Sequence, residues 1–199
     1  MVSISILKKP LRLPLLLIIF SLVLFYFIKI NFYSSPKVLI KKDQENISFS
    51  PVRLVIPAID VSANIQSIGT NSNGEMEVPS NITDVGLFKF GVIPGQTGSA
   101  IIAGHFNGKN NQKGVFANLN KLKAGDKLFV EDKTGKSITF IVKKKELYNS
   151  GYADEVFNQS NSAHLNLVTC DGLWDEAKKS YTKRLVIFTD ISTLDKYYN

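Results

Sequence analysis

Cysteine is nearly absent: Cys170 is the only thiol in 199 residues. A lone cysteine excludes an intramolecular disulfide framework. With only two histidines, His105 and His164, set far apart, the chain also offers no recognisable ligand spacing for a structural zinc site. No metal and no cofactor is expected. Acidic residues are outnumbered, 17 against 24 lysines and arginines, which leaves a formal net charge of +7. That excess bears on what the surface attracts and not on the fold. It comes without an arginine and aromatic RNP signature, so nucleic acid is not an expected partner. Internal repeats and low-complexity tracts are missing as well.

One long apolar run is present. Residues 13–28 are apolar apart from Ser21 and follow Lys8, Lys9 and Arg12. The run falls a little short of the ~20 residues that span a bilayer. It reaches that length if Arg12 and Lys29 snorkel to the interfaces and Ile30, Phe32 and Tyr33 line the far boundary. No small-x-small cleavage site follows, so residues 13–33 read as an uncleaved transmembrane signal-anchor and not as a cleavable signal peptide. The basic tail, residues 1–12, is then cytoplasmic, and the protein is a single-pass cell-membrane protein with its folded part outside. Residues 34–50, polar and lysine-rich apart from Val38, Leu39 and Ile40, read as a linker to a domain over residues 51–199. Outside the cytoplasm, an unpaired thiol such as Cys170 is a candidate for reactivity.

The domain reads as strands. Residues 52–59 are β-branched and apolar around Pro57, Asn73-Gly74 is a turn signal, and Pro94-Gly95 marks another turn before a strand over residues 99–105. Residues 127–131 and 137–147 flank Lys133-Thr134-Gly135-Lys136 in a hairpin pattern, with Ile138, Phe140 and Val142 on one face. Short helices are expected only over residues 115–122 and 153–157. Many short strands with turn signals between them predict a small all-β barrel or sandwich.

Three residues are candidates for chemistry. Cys170 ends the apolar run Leu165-Asn166-Leu167-Val168-Thr169-Cys170, where a strand leaves the core. A thiolate attacks acyl carbonyls well, but an ordinary pKa of about 8.5 keeps the thiol protonated unless a cation lies nearby. The structural alternative is a cysteine buried as a small hydrophobe. His105 ends a strand at Ala103-Gly104-His105, where the glycine permits close backbone approach. His164 instead follows Ser160-Asn161-Ser162-Ala163 in a polar loop. Arg184 opens the apolar strand after a polar loop over residues 171–183. If the two strands are neighbours its planar fork stands beside the thiol; otherwise it is a charged strand end next to Lys183.

These residues together resemble the sortases, the membrane-anchored cysteine transpeptidases of mainly Gram-positive bacteria. The family's T-L-x-T-C signature is met by Leu167-Val168-Thr169-Cys170, with Asn166 where the first threonine usually stands. Its catalytic histidine matches His105 in Ala103-Gly104-His105, and its catalytic arginine matches Arg184 in Lys183-Arg184-Leu185-Val186. The similarity runs from Pro51 through Gly74-Glu75-Met76-Glu77-Val78-Pro79 to the C-terminus and looks closest to class F. It implies a closed eight-stranded β-barrel with short helices, with His105, Cys170 and Arg184 catalytic at one end of a groove. Thr169 is implied to help position the peptide, and the loop carrying Trp174 and Tyr181 is expected to form one wall of the substrate groove. The implied substrates are proteins with an LPXTG-like sorting signal and an amine from a cell-wall precursor or cross-bridge, joined through a thioacyl-enzyme. An L,D-transpeptidase is the nearest enzymatic rival, but its usual His-Gly before the cysteine is replaced by Val168-Thr169. A membrane-tethered binding module with an inert thiol is the non-enzymatic one. A pilin polymerase is disfavoured because its lid motif is missing between Asn31 and Pro51, and no second apolar span follows Ile191.

Overall fold

Alternating apolar side chains give each strand of this chain a dry face, and those faces close on one another as a barrel. The structure, a computed structural model, describes residues 25–26, 49–151, 154–157 and 161–193. The basic tail, the signal-anchor and the linker therefore lie outside the described residues, except for Phe25 and Tyr26, which are helical, and Phe49 and Ser50. Among the described residues no helix is long and apolar enough to cross a membrane.

The strands are β1 (Pro51–Ile56), β2 (Val61–Ile68), β3 (Val85–Phe88), β4 (Gly98–Gly104), β5 (Lys127–Asp132), β6 (Ser137–Asn149), β7 (Ala163–Asp175) and β8 (Ser180–Ile191). They close in the order β1-β2-β3-β4-β7-β8-β6-β5, with β5 pairing back to β1. The pairs β2/β3 and β4/β7 are parallel and the others antiparallel. Closure removes every free sheet edge and gives the eight-stranded all-β barrel expected from the sequence. The strand expected over residues 52–59 stops at Ile56, because Pro57 has no N–H for the ladder and opens a 3₁₀ turn instead.

The barrel interior is filled by Leu54, Ile56, Leu128, Val130, Phe140, Leu165, Leu167 and Ile187, all with no exposed surface. A second, smaller cluster lies on the outer face of β4, β7 and β8, where Ile101, Val186 and Phe188 meet Val156. Val156 belongs to the short helix α1 (Asp154–Phe157), which falls within the expected helical stretch. Buried Asn166 holds that helix down, its Nδ2 donating to the Val156 carbonyl at 2.7 Å. Cover on both faces is why β4 and the inner part of β8 read as near-continuous apolar runs, and why β7 is apolar apart from His164, Asn166 and Thr169 before Cys170. The other expected helix, over residues 115–122, is a series of turns ending in a 3₁₀ turn at Leu119–Lys121. Phe116, Leu119 and Leu122 of that stretch are buried in the core and fix it without a full helix.

The main correction concerns residues 171–183, expected as a loop. They continue both flanking strands: β7 runs to Asp175 and β8 begins at Ser180, leaving only a turn between them. A register shift between Asp171 and Trp174, with Gly172 at φ +81°, bends the extension. Hydrophobic periodicity reports burial, and this hairpin has exposed Leu173 and Trp174 at its end, so its pairing left no apolar pattern to read. Arg184 accordingly stands inside β8 and not at its start, and His164 is the second residue of β7 and not part of a loop.

Phe140→Ala in β6 is expected to lower unfolding stability by about 3–5 kcal/mol, measured by urea denaturation. Leu147→Ala in the same strand, 59% exposed, is expected to cost less than about 0.5 kcal/mol.

Candidate active site

The pairing of β7 with β8 places Cys170 directly opposite Arg184. Residues directly opposed on antiparallel strands project to the same face with Cβ atoms about 4.5–5.5 Å apart. Strand parity settles which face: Leu165 and Leu167 enter the core, so Val168 and Cys170 point outward. Cys170 is half-buried there. Burial pushes its thiol pKa up, and the Arg184 guanidinium pulls it down by a smaller amount. The resting thiol is therefore protonated at neutral pH, with a cation in place to favour its ionisation.

His105 follows β4 immediately. The parallel pairing of β4 with β7 sets Ala103 beside Val168, and His105 and Cys170 each lie two residues beyond that pair. The imidazole is thus carried to the level of the thiol, one strand over. His105 Nε2 lies 2.9 Å from the Pro79 carbonyl oxygen. A carbonyl can only accept, so Nε2 carries a hydrogen, and Nδ1 is the nitrogen of the neutral ring left to take or give a proton.

The Pro79 carbonyl is itself braced. Gln66 of β2 accepts hydrogen bonds from the backbone and hydroxyl of Ser80, both 3.1 Å, and donates to Asp84 at 2.9 Å. Asn81 and Gln66 together hold the Asp84 carboxyl below the usual range, the Asn81 bond contributing most. On the other side of the histidine, its backbone carbonyl accepts from Phe116 N–H at 2.9 Å, and Gly114 packs directly against that carbonyl. The close approach expected at Gly104 is to the Phe116 ring, which a Cβ would meet at 2.5 Å.

Thr169, expected to help position the peptide, is buried, and its hydroxyl donates to the Gly104 carbonyl at 2.8 Å. What it holds directly is the histidine strand against the cysteine strand. Arg184 Nη1 donates to the carbonyls of Tyr181 and Lys183, each at 2.9 Å, and Nη2 donates to Ser180 Oγ at 3.1 Å. Trp174 and Tyr181 meet edge to face at 5.3 Å between ring centres. Both line a cavity of about 790 Å³ together with His105, Pro79 and Asn107. Cys170 and Arg184 do not line it, so this cavity reaches the three candidate residues only through His105.

His164 is elsewhere. It sits near the far end of β7, about 20 Å from Cys170 at the usual rise per residue. Its Nδ1 lies 2.9 Å from Asp190 Oδ1, and the buried ring is a structural fixture. Sequence reasoning missed Pro79 and Asn107. The first acts through a backbone oxygen, which leaves no trace in residue type, and the second is one asparagine among several.

Alkylation of Cys170 by iodoacetamide should rise with pH with a midpoint above the ~8.5 of a free thiol. Arg184→Ala should move that midpoint higher still, because it removes the one influence that lowers it. A midpoint near pH 7 in the unmodified protein contradicts this account of the resting thiol.

Known proteins share this fold. Among solved structures, the chain is similar to sortase C-1 from Actinomyces oris at 25% identity, covering 72% of this chain and 75% of that one with a TM-score of 0.55. It is also similar in fold to a lid mutant of sortase A from Corynebacterium diphtheriae, at 22% identity, 74% and 72% coverage and a TM-score of 0.57. A search of curated proteins returns no match. The sequence model of the sortase domain matches residues 54–192, from the first core residue of β1 to just past the end of β8. With all eight strands reached by that match, β1 from Leu54 onward, the chain belongs to the sortase family.

Proposed function

We propose that this chain is a cysteine transpeptidase of the class F type that cleaves an LPXTG-like sorting signal and transfers the cleaved protein to a cell-wall amine. The observation that carries the reading is the cross-strand pair of Cys170 and Arg184, with His105 one strand away. Class F is supported by the similarity from Pro51 onward and by the missing pilin-type lid motif between Asn31 and Pro51. The apolar run 13–28 behind a basic tail supports a single-pass membrane anchor with the barrel outside the cell.

The chemistry follows from the three side chains. His105 Nδ1 takes the Cys170 proton as sulfur attacks the carbonyl between the threonine and glycine of the signal. The electron pair moves to the carbonyl oxygen. Three of the Arg184 N–H donors are committed to β8, and the rest of its fork is left to hold the developing oxyanion. As the carbon–nitrogen bond breaks, the imidazolium gives its proton to the departing amine. The thioester keeps the acyl energy, so the second half needs no ATP: an incoming amine attacks it, His105 takes the amine's proton, and the thiolate leaves. His105 is the one member of the trio that lines the 790 Å³ cavity. The acceptor therefore enters through that cavity, past Trp174, while the sorting signal lies along the outer face that carries Cys170.

With a fluorogenic sorting peptide, Cys170→Ala should abolish turnover, and His105→Ala should lower it by about 10²–10⁴-fold. His164→Ala should stay within about twofold of the unmodified rate while lowering the melting temperature, since it removes a buried ring and its bond to the partly exposed Asp190 carboxylate. Arg184→Lys keeps the charge but loses the planar fork, and a fall of about 10²-fold is expected; unchanged kinetics remove Arg184 from the mechanism.

Trp174→Ala should raise the KM for the amine acceptor while leaving hydrolysis of the peptide without acceptor unchanged. Equal loss of both activities argues against the cavity as the acceptor's route.

A further inference from the structure

We propose that Tyr181 is a positioning residue for this reaction, locking the loop behind His105 to the strand that carries Arg184. The inference rests on the transpeptidase reading above. Tyr181 touches both sides at once. Its hydroxyl accepts a hydrogen bond from Asn107 Nδ2 at 2.7 Å, and its ring meets Phe106 edge to face at 5.8 Å. Phe106 and Asn107 are the two residues after His105. Its backbone carbonyl, meanwhile, accepts from Arg184 Nη1 at 2.9 Å.

The link is needed because of where the hairpin lies. The core fixes β7 and β8 as far as Leu167 and Leu185, but the hairpin beyond Cys170 is largely exposed and is not set by burial. The loop after His105 closes on itself, with Gly108 N–H donating to the Gln112 carbonyl at 2.7 Å, and its tip is exposed at Asn110 and Asn111, both left-handed at φ 56° and 60°, so burial does not set its place against β8 either. Thr169 ties the two strands together below the site, through the Gly104 carbonyl. Above it, Tyr181 ties the start of β8 to the loop that follows β4. His105 and Arg184 must serve the same tetrahedral carbon, one at its nitrogen and one at its oxygen, so their separation governs the rate. Misplacement by about 1 Å is enough to cost up to 10²-fold.

The test compares the full chain in detergent with Tyr181→Phe, Asn107→Ala and the double variant. Each single change should lower kcat for sorting-peptide cleavage, measured without acceptor, 3- to 10-fold with KM for the peptide within twofold, since both residues line the acceptor's cavity and not the face along which the peptide lies. The double variant should be no slower than Asn107→Ala alone, because both changes remove the Asn107–Tyr181 bond and Asn107→Ala also removes the one from Asn107 to Asn111 Oδ1 at 3.1 Å. The rate of Cys170 alkylation should not move. The His105 ring proton resonances should shift and broaden in Tyr181→Phe, a readout that needs no turnover. Unchanged kcat in either single variant, losses that multiply in the double, or a raised KM with kcat intact each overturn the proposal, the last by making Tyr181 a substrate contact. If the unmodified protein cleaves no sorting peptide while the His105 resonances still respond to Tyr181→Phe, the transpeptidase reading fails and the link stands.

Discussion

Everything at the site depends on the register between β7 and β8. A strand's side chains alternate faces, so a slip of one residue sends Cys170 inward and brings a different partner opposite it. The register is held from below by the interior ladder of Leu165, Leu167, Leu185 and Ile187, and from outside by Val186 and Phe188 under α1. Packing on both faces leaves only one alignment in which no apolar row is exposed. The thiol and the guanidinium meet as a consequence of that packing, and neither contributes much to it.

At the candidate site that results, the thiol is held back from ionising. A thiol half out of water is harder to ionise, and the neighbouring guanidinium offsets only part of that cost. The histidine is held by its Nε2 against a carbonyl whose own loop is braced by Gln66, Asn81 and Asp84. That bracing leaves Nδ1 for proton transfer and keeps the ring from turning. The proposed reaction passes one proton between sulfur and nitrogen, and this arrangement sets both groups at one level on the same face of the sheet.

The hairpin of residues 171–183 shows a division of labour between core and rim. Below Cys170 the strands are apolar and immobilised by burial; above it they are polar, and hydrogen bonds and ring contacts do the holding. Asn107, Tyr181, Trp174 and Arg184 belong to this second kind of structure. Such contacts are easier to change without unfolding the barrel, which makes the rim the natural place for differences in substrate preference.

The strands were legible in the sequence because burial leaves a pattern: Ile138, Phe140 and Val142 alternate, and the runs ending at Cys170 and beginning near Arg184 are largely apolar; that pattern fits a barrel or a sandwich, and only the resemblance pointed to eight closed strands. Scarcity singled out Cys170 and two histidines, and the resemblance to the sortases chose His105 over His164 and added Arg184. The hairpin was not legible, since a polar strand pair outside the core has the composition of a loop. Neither was the bond from His105 to Pro79, because a backbone carbonyl is the same in every residue. Sequence alone determined the chemical groups and the strands that carry them. Tertiary structure decided which groups face one another, because barrel closure and strand register bring positions 105, 170 and 184 together, and no local pattern encodes a distance between strands that far apart in the chain.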